Sequence, residues 1–221
     1  MKRARRFMDV IKEPFCGLSH GAGAILSVAA LVVLLIAARG RPWHTVAFTI
    51  YGLSLLLLYT ASTLYHSVRG GPALCDRLRR LDHSAIFLLI AGSYTPVCLV
   101  TLRGVWGWSL LSIVWALAFV GIALSMLGKT EPEWPRVTLY VIMGWLAMVA
   151  FAPLREALSP AGLGWLIAGG VVYSLGTLIF ATDRPHLWPG RFSAHDLWHI
   201  FVLGGSACHF VVMLYFVAPA G

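Results

Sequence analysis

The sequence predicts an all-α, polytopic membrane protein of seven transmembrane helices, with the N-terminus cytoplasmic and the C-terminus outside. Three observations lead there. Of the 221 residues, 59% are hydrophobic and only 12% charged, about half the charge of an ordinary soluble domain. The apolar residues fall into seven runs, each near the length that crosses a bilayer. The basic residues gather in alternate loops, and that asymmetry requires an odd number of spans.

Residues 1 to 12 carry Lys2, Arg3, Arg5, Arg6 and Lys12, which resembles the basic region of a signal peptide. The run from Cys16 to Ala38 is longer than a cleaved core, and more spans follow it. It reads as a retained first helix. Residues 1–15 are then a basic cytoplasmic segment, and 16–218 a single seven-helix domain. Further spans are predicted at 43–67, 83–102, 105–127, 135–155, 162–182 and 194–217. Gly and Pro clusters punctuate them: Arg39-Gly-Arg-Pro42, Arg69-Gly-Gly-Pro72, Glu131-Pro-Glu-Trp-Pro135, Ser159-Pro160, Asp183-Arg-Pro185 and Pro189-Gly-Arg191. Only the tight turn Leu102-Arg-Gly-Val105 separates the third span from the fourth. Nine Trp and seven Tyr suit the headgroup level, and 22 Gly suit close helix contacts.

Assigning alternate loops to opposite sides places thirteen of the 17 Lys and Arg with the N-terminus. The other four are Arg39, Arg41, Arg103 and Arg155, so by the positive-inside tendency the N-terminus is cytoplasmic. The net charge of +8 is scattered rather than massed in a stripe, which argues against a nucleic-acid partner. Cys16, Cys75, Cys98 and Cys208 have no paired spacing, so they read as small apolar residues and not as thiolate ligands.

On this topology His20, His66, Asp82, His195 and His199 all fall in the cytoplasmic half of the membrane. His195 and His199 are i and i+4, stacked on one face of the last helix. Ser62 and His66 are related in the same way on the second. Three neutral imidazoles plus a water form a familiar catalytic zinc shell. A divalent ion would also offset the ~2.5–3.5 kcal/mol that a membrane-embedded carboxylate costs. For each histidine taken singly, a helix-to-helix hydrogen bond is the plain alternative.

Glu13-x-x-Cys16-x-x-x-His20, Ser62-x-x-x-His66, Asp82 and His195-x-x-x-His199 resemble the signature of the hemolysin III and progestin/adipoQ receptor (PAQR) family, nearest its bacterial hemolysin III branch. This family sits within a wider group of membrane hydrolases that includes alkaline ceramidases. The resemblance covers essentially the whole chain. It implies seven helices and Zn2+ held by His66, His195 and His199, with Asp82 and Ser62 beside a zinc-bound water. It also implies a multi-pass protein of the cell membrane whose partner is a lipid or fatty-acid-like small molecule. Cys16 stands where the family usually has Asn, which leaves Glu13 and His20 without an assigned role.

The expected activity is zinc-dependent hydrolysis of a lipid amide or related bond, with Asp82 orienting or deprotonating the water and Ser62 assisting the oxyanion. The alternatives are a receptor or sensor with a structural zinc, a pore-forming cytolysin and a proton relay. Ser193-x-x-Asp196 reads as a helix cap. His83 is assigned to the next face of its helix, and His44 and His186 to loops. His209 lies roughly 15 Å beyond His199, a separate contact that could line a cavity. Ser93, Tyr94 and Thr95 are expected to satisfy carbonyls freed by Pro96, and Gly204-Gly205 to permit close packing.

Overall fold

Proline starts five of the seven long helices. It occupies the first or second helical position at Pro14, Pro42, Pro72, Pro135 and Pro160, where its missing N–H costs no hydrogen bond. The computed structural model describes residues 11–128, 133–185, 187–188 and 192–220. Within them the long helices are α1 (Pro14–Ala37), α2 (Pro42–Ser67), α3 (Pro72–Leu102), α4 (Gly104–Leu127), α5 (Trp134–Ala157), α6 (Pro160–Thr182) and α7 (Ala194–Val217). All seven are long and apolar enough to span a bilayer. Among the described residues there is no β-strand beyond an isolated bridge between Trp188 and Phe192. Lys2, Arg3, Arg5, Arg6, Lys129, His186 and Arg191 lie outside the described residues.

Each helix packs against the next, and α7 returns to pack against α1, so the bundle closes into a ring. α3 is the most buried of the seven. The outward faces carry exposed Ile25, Leu26, Phe119, Val149 and Leu178, an apolar surface that suits lipid and not water.

One boundary and one residue assignment differ from the sequence reading. The third helix begins at Pro72 and not near residue 83, because its first turns are polar and escape a hydropathy criterion. Those turns have a structural use. Arg80 pairs with Asp76 at 2.7 Å and donates from Nη1 to the carbonyls of Met126 and Gly128 at 2.8 and 2.9 Å, capping the end of α4. The helix therefore continues for about 15 Å before it reaches Asp82. His44, assigned to a loop, is instead buried in the first turn of α2, where Nε2 donates to the Ala220 carbonyl at 2.8 Å.

The tight turn between α3 and α4 holds: Arg103 and Gly104 both have positive φ, 40° and 58°, and Gly104 takes that conformation without strain. The close packing of α7 holds as well. A Cβ on Gly205 would lie 2.7 Å from the Tyr173 ring.

Tyr94 does something the sequence did not suggest. Ser93 and Thr95 do return hydrogen bonds to helix carbonyls, those of Ile90 and Ala91. The Tyr94 hydroxyl leaves its own helix, donating to the Met143 carbonyl at 2.7 Å and accepting from the Ala147 N–H at 2.9 Å. Residues 143 and 147 would otherwise bond to each other in a regular α-helix. The inserted hydroxyl takes that place, and α5 tightens to a 3-10 turn over Leu146–Ala150.

Candidate metal centre

Four helix segments bring polar side chains to one end of the bundle. α1 supplies Cys16 and His20 from its first two turns, with Glu13 as the residue before it. α2 supplies Ser62 and His66 from its last turns, α3 supplies Asp82, and α7 supplies His195 and His199. Of these, His20, His66, Asp82, His195 and His199 are the residues that the sequence placed at one depth, and they lie together around one cavity.

The three imidazoles face one another. The i, i+4 spacing on α7 sets His195 Nε2 and His199 Nε2 3.3 Å apart, close to the ~3.4 Å between ligands placed tetrahedrally around zinc. The His66 ring centroid lies 4.7 Å from that of His199 and 5.1 Å from that of His195. His66 and His199 are each only 2% exposed. The apposed Nε2 atoms are within N–H···N hydrogen-bond reach, and an ion between them would take the lone pair of each.

Glu13 orients His66. The chain before α1 pairs along the end of α2, with the Glu13 N–H donating to the His66 carbonyl at 2.8 Å and the Lys12 N–H to the Ser67 carbonyl at 3.3 Å. This sets the Glu13 carboxylate against His66 Nδ1 in a short contact. A carboxylate can only accept, so Nδ1 carries the proton and Nε2 keeps its lone pair for the cluster. The hydrogen bond with His66 holds the Glu13 carboxyl at about 2, against partial burial that pushes it upward.

Cys16 requires a correction. The sequence reading found no cysteine placed to act as a ligand, yet its Sγ and one ring nitrogen from each of His66, His195 and His199 all lie within 4.8 Å of one another. Residues 16, 66 and 195 are too far apart in sequence for any spacing rule to join them. The signal that was available was the departure from the family's Asn. The thiol donates to Asp196 Oδ1 at 3.1 Å. Asp196 also caps α7 as expected: Oδ2 accepts from the Ser193 N–H at 2.7 Å, while the Asp196 N–H donates to Ser193 Oγ at 3.1 Å.

Asp82 is buried and hydrogen-bonded to Ser62. It stands beside the imidazole cluster and outside the four-donor group. His20 packs against His199 with ring centroids 3.9 Å apart and the rings tilted by 34°. It is 3% exposed, and neither ring nitrogen has a hydrogen-bond partner. His209 is remote from the cluster and stacks on Tyr173.

A cavity of about 150 Å³ opens from the cluster, with Ser62, His66, Asp82, His195 and His199 at its head. Sequence reasoning did not anticipate that Glu133, Arg136 and Tyr140 of α5 and its flank would line it. His209, Tyr94 and Trp145 border both this cavity and a second one of about 60 Å³. The second runs on between apolar side chains including Val97, Leu110, Leu154 and Leu163. Together they form a polar head leading into an apolar interior, as ligand sites in helix bundles commonly do.

Comparison with known proteins bears on the chain as a whole. A family model described as "Haemolysin-III related" matches residues 8–210. The chain is similar to Hemolysin-3 of Bacillus cereus, with 44% identity covering 99% of this chain and 98% of that one. It is similar to the Hemolysin-3 homolog of Bacillus subtilis (strain 168), with 43% identity over 95% of this chain and 96% of that one. A more distant likeness, 26% identity over 86% of this chain and 47% of the other, is to an adiponectin receptor protein of Drosophila melanogaster.

Proposed function

The chain belongs to the haemolysin-III-related family, and from that premise we propose that it is a metal-dependent membrane hydrolase acting on an amide or related bond of a lipid. One observation carries the reading: three facing imidazoles, with the Ser62–Asp82 pair beside them, stand at the head of an apolar cavity. The donor set fits zinc: His195 and His199 stand at near-tetrahedral spacing, and the Glu13 contact fixes the tautomer of His66. His195 and His199 would bind through Nε2, and His66 through the nitrogen opposite its Glu13 contact. Bound there, the ion would contribute Lewis acidity toward a carbonyl and a lowered pKa for water.

The chain's own groups then divide the proton transfers. Asp82 takes the proton of the attacking water on its carboxylate. Once protonated, Asp82 becomes the donor in its hydrogen bond with Ser62. That frees the Ser62 Oγ–H to turn toward the developing oxyanion. Asp82 next gives its proton to the leaving amine. The apolar extension past Trp145 and Tyr94 holds the acyl chain, and burial of the cavity head keeps bulk water away. By the distribution of Lys and Arg, this head lies in the cytoplasmic leaflet.

A second reading, a receptor or sensor with a structural metal, is favoured by one observation. Cys16 brings the donor set to four, and closed four-ligand shells are typical of structural zinc. Metal analysis followed by turnover separates the two. About one zinc per chain is expected, lost in His66→Ala, together with release of fatty acid from a panel of N-acyl lipids. Protein without metal would end both readings, whereas metal without turnover would leave the receptor.

A further inference from the structure

We propose that Cys16 Sγ is a fourth ligand of the metal position formed by His66, His195 and His199. The chain would then rest with a closed three-histidine, one-cysteine shell. This inference rests on the metal reading above and adds to it a thiolate that the hydrolytic scheme does not use.

The placement of Cys16 follows from how α1 docks. Backbone pairing of Lys12 and Glu13 with the end of α2 fixes the height of α1. Gly17 lets the two helices meet closely, because a Cβ there would collide with Ser67 Oγ. Cys16 thereby turns inward at 1% exposure, and its sulfur joins the three imidazole nitrogens within 4.8 Å. Ligands around a tetrahedral zinc stand ~3.4–3.7 Å apart, so the four groups need to contract by only about 1 Å.

The proton balance is also provided for. The S–H bond breaks, the S–metal bond forms, and the proton leaves to solvent past half-buried Asp196, whose Oδ1 accepts the thiol at 3.1 Å. A closed shell binds zinc more tightly than three imidazoles alone. It also leaves no coordination position for water or substrate while Sγ is bound.

The test is the zinc X-ray absorption fine structure of purified full-length protein. Wild type should show one sulfur at about 2.3 Å and nitrogen or oxygen at about 2.0–2.1 Å. Cys16→Ser should retain zinc with the sulfur scatterer gone, and chelator competition should show affinity lowered at least ~10–100-fold, as for loss of a supporting partner. Zinc bound to wild type without sulfur overturns the proposal and leaves the metal reading standing. A sulfur that persists in Cys16→Ser also overturns it, by assigning the ligand to another cysteine. Wild-type protein free of metal overturns both readings together. The wild-type spectrum decides even if the variant does not fold.

Discussion

Replacing Glu13 tests whether the carboxylate outside the cluster sets the behaviour of the imidazole within it. Glu13→Ala removes the acceptor for His66 Nδ1–H, so the ring loses both its orientation and the bias that keeps Nε2 deprotonated. A hydrogen bond to a charged partner contributes ~1.5–3 kcal/mol. The Glu13 side chain is 41% exposed, so water can take over part of that role, and the lower end applies. About 1.5 kcal/mol is roughly a tenfold loss in zinc affinity. Glu13→Gln keeps an acceptor but not the charge, and about threefold is expected on the scale of neutral hydrogen bonds. Zinc affinity of detergent-solubilised protein, measured by competition with a chromophoric chelator, should rank wild type above Gln above Ala. Equal affinities in all three proteins would refute the reasoning.

Four further outcomes are expected. Asp82→Asn should retain zinc while turnover on an N-acyl lipid drops ~10²–10⁴-fold; undiminished turnover would remove Asp82 from the proton path. In metal-free protein, the depressed Glu13 pKa stabilises the fold fully above about pH 4.5, and this contribution is lost as pH falls through about 2. The difference between the thermal midpoints of wild type and Glu13→Gln should therefore shrink as pH falls from about 4.5 toward 2. Gly205→Ala drives a methyl into the Tyr173 ring, which Ser206 restrains by a 2.8 Å hydrogen bond, and the overpacking should cost ~1–3 kcal/mol in thermal unfolding. Tyr94→Phe removes the hydroxyl bridging Met143 and Ala147. Hydrogen exchange at the Ala147 amide should accelerate, and unchanged protection would mean that α5 closes its own ladder.

How much of this could be read from the chain depended on the range of the interaction. The seven spans were legible because crossing a bilayer demands about twenty apolar residues in sequence, a local requirement. Helix ends that extend into water were not: the turns around Asp76 and Arg80 of α3 are held by contacts with α4 that hydropathy does not register. His44 was misplaced for a related reason, since Pro42 starts α2 at the edge of the apolar run. The convergence of His66, His195 and His199 was legible through helix periodicity combined with common depth. Cys16 was not, because its approach depends on how α1 docks against α2. Tyr94 was credited to the proline two residues away, when its partners lie about fifty residues on.

The closure of the ring by α7 also orders events in time. His66 enters the membrane on the second span, whereas His195 and His199 are about 130 residues later in the chain. At ~5–20 residues per second of synthesis, that is a wait of roughly 6–26 seconds. During this interval the first spans present Cys16, His66 and Asp82 to the bilayer with none of the partners from the last helix. A metal ion that required all three imidazoles could not be captured until translation was nearly finished. The centre would then serve as a clasp that records completion of the chain, and a product truncated before α7 would carry no ion to hold its first helices together.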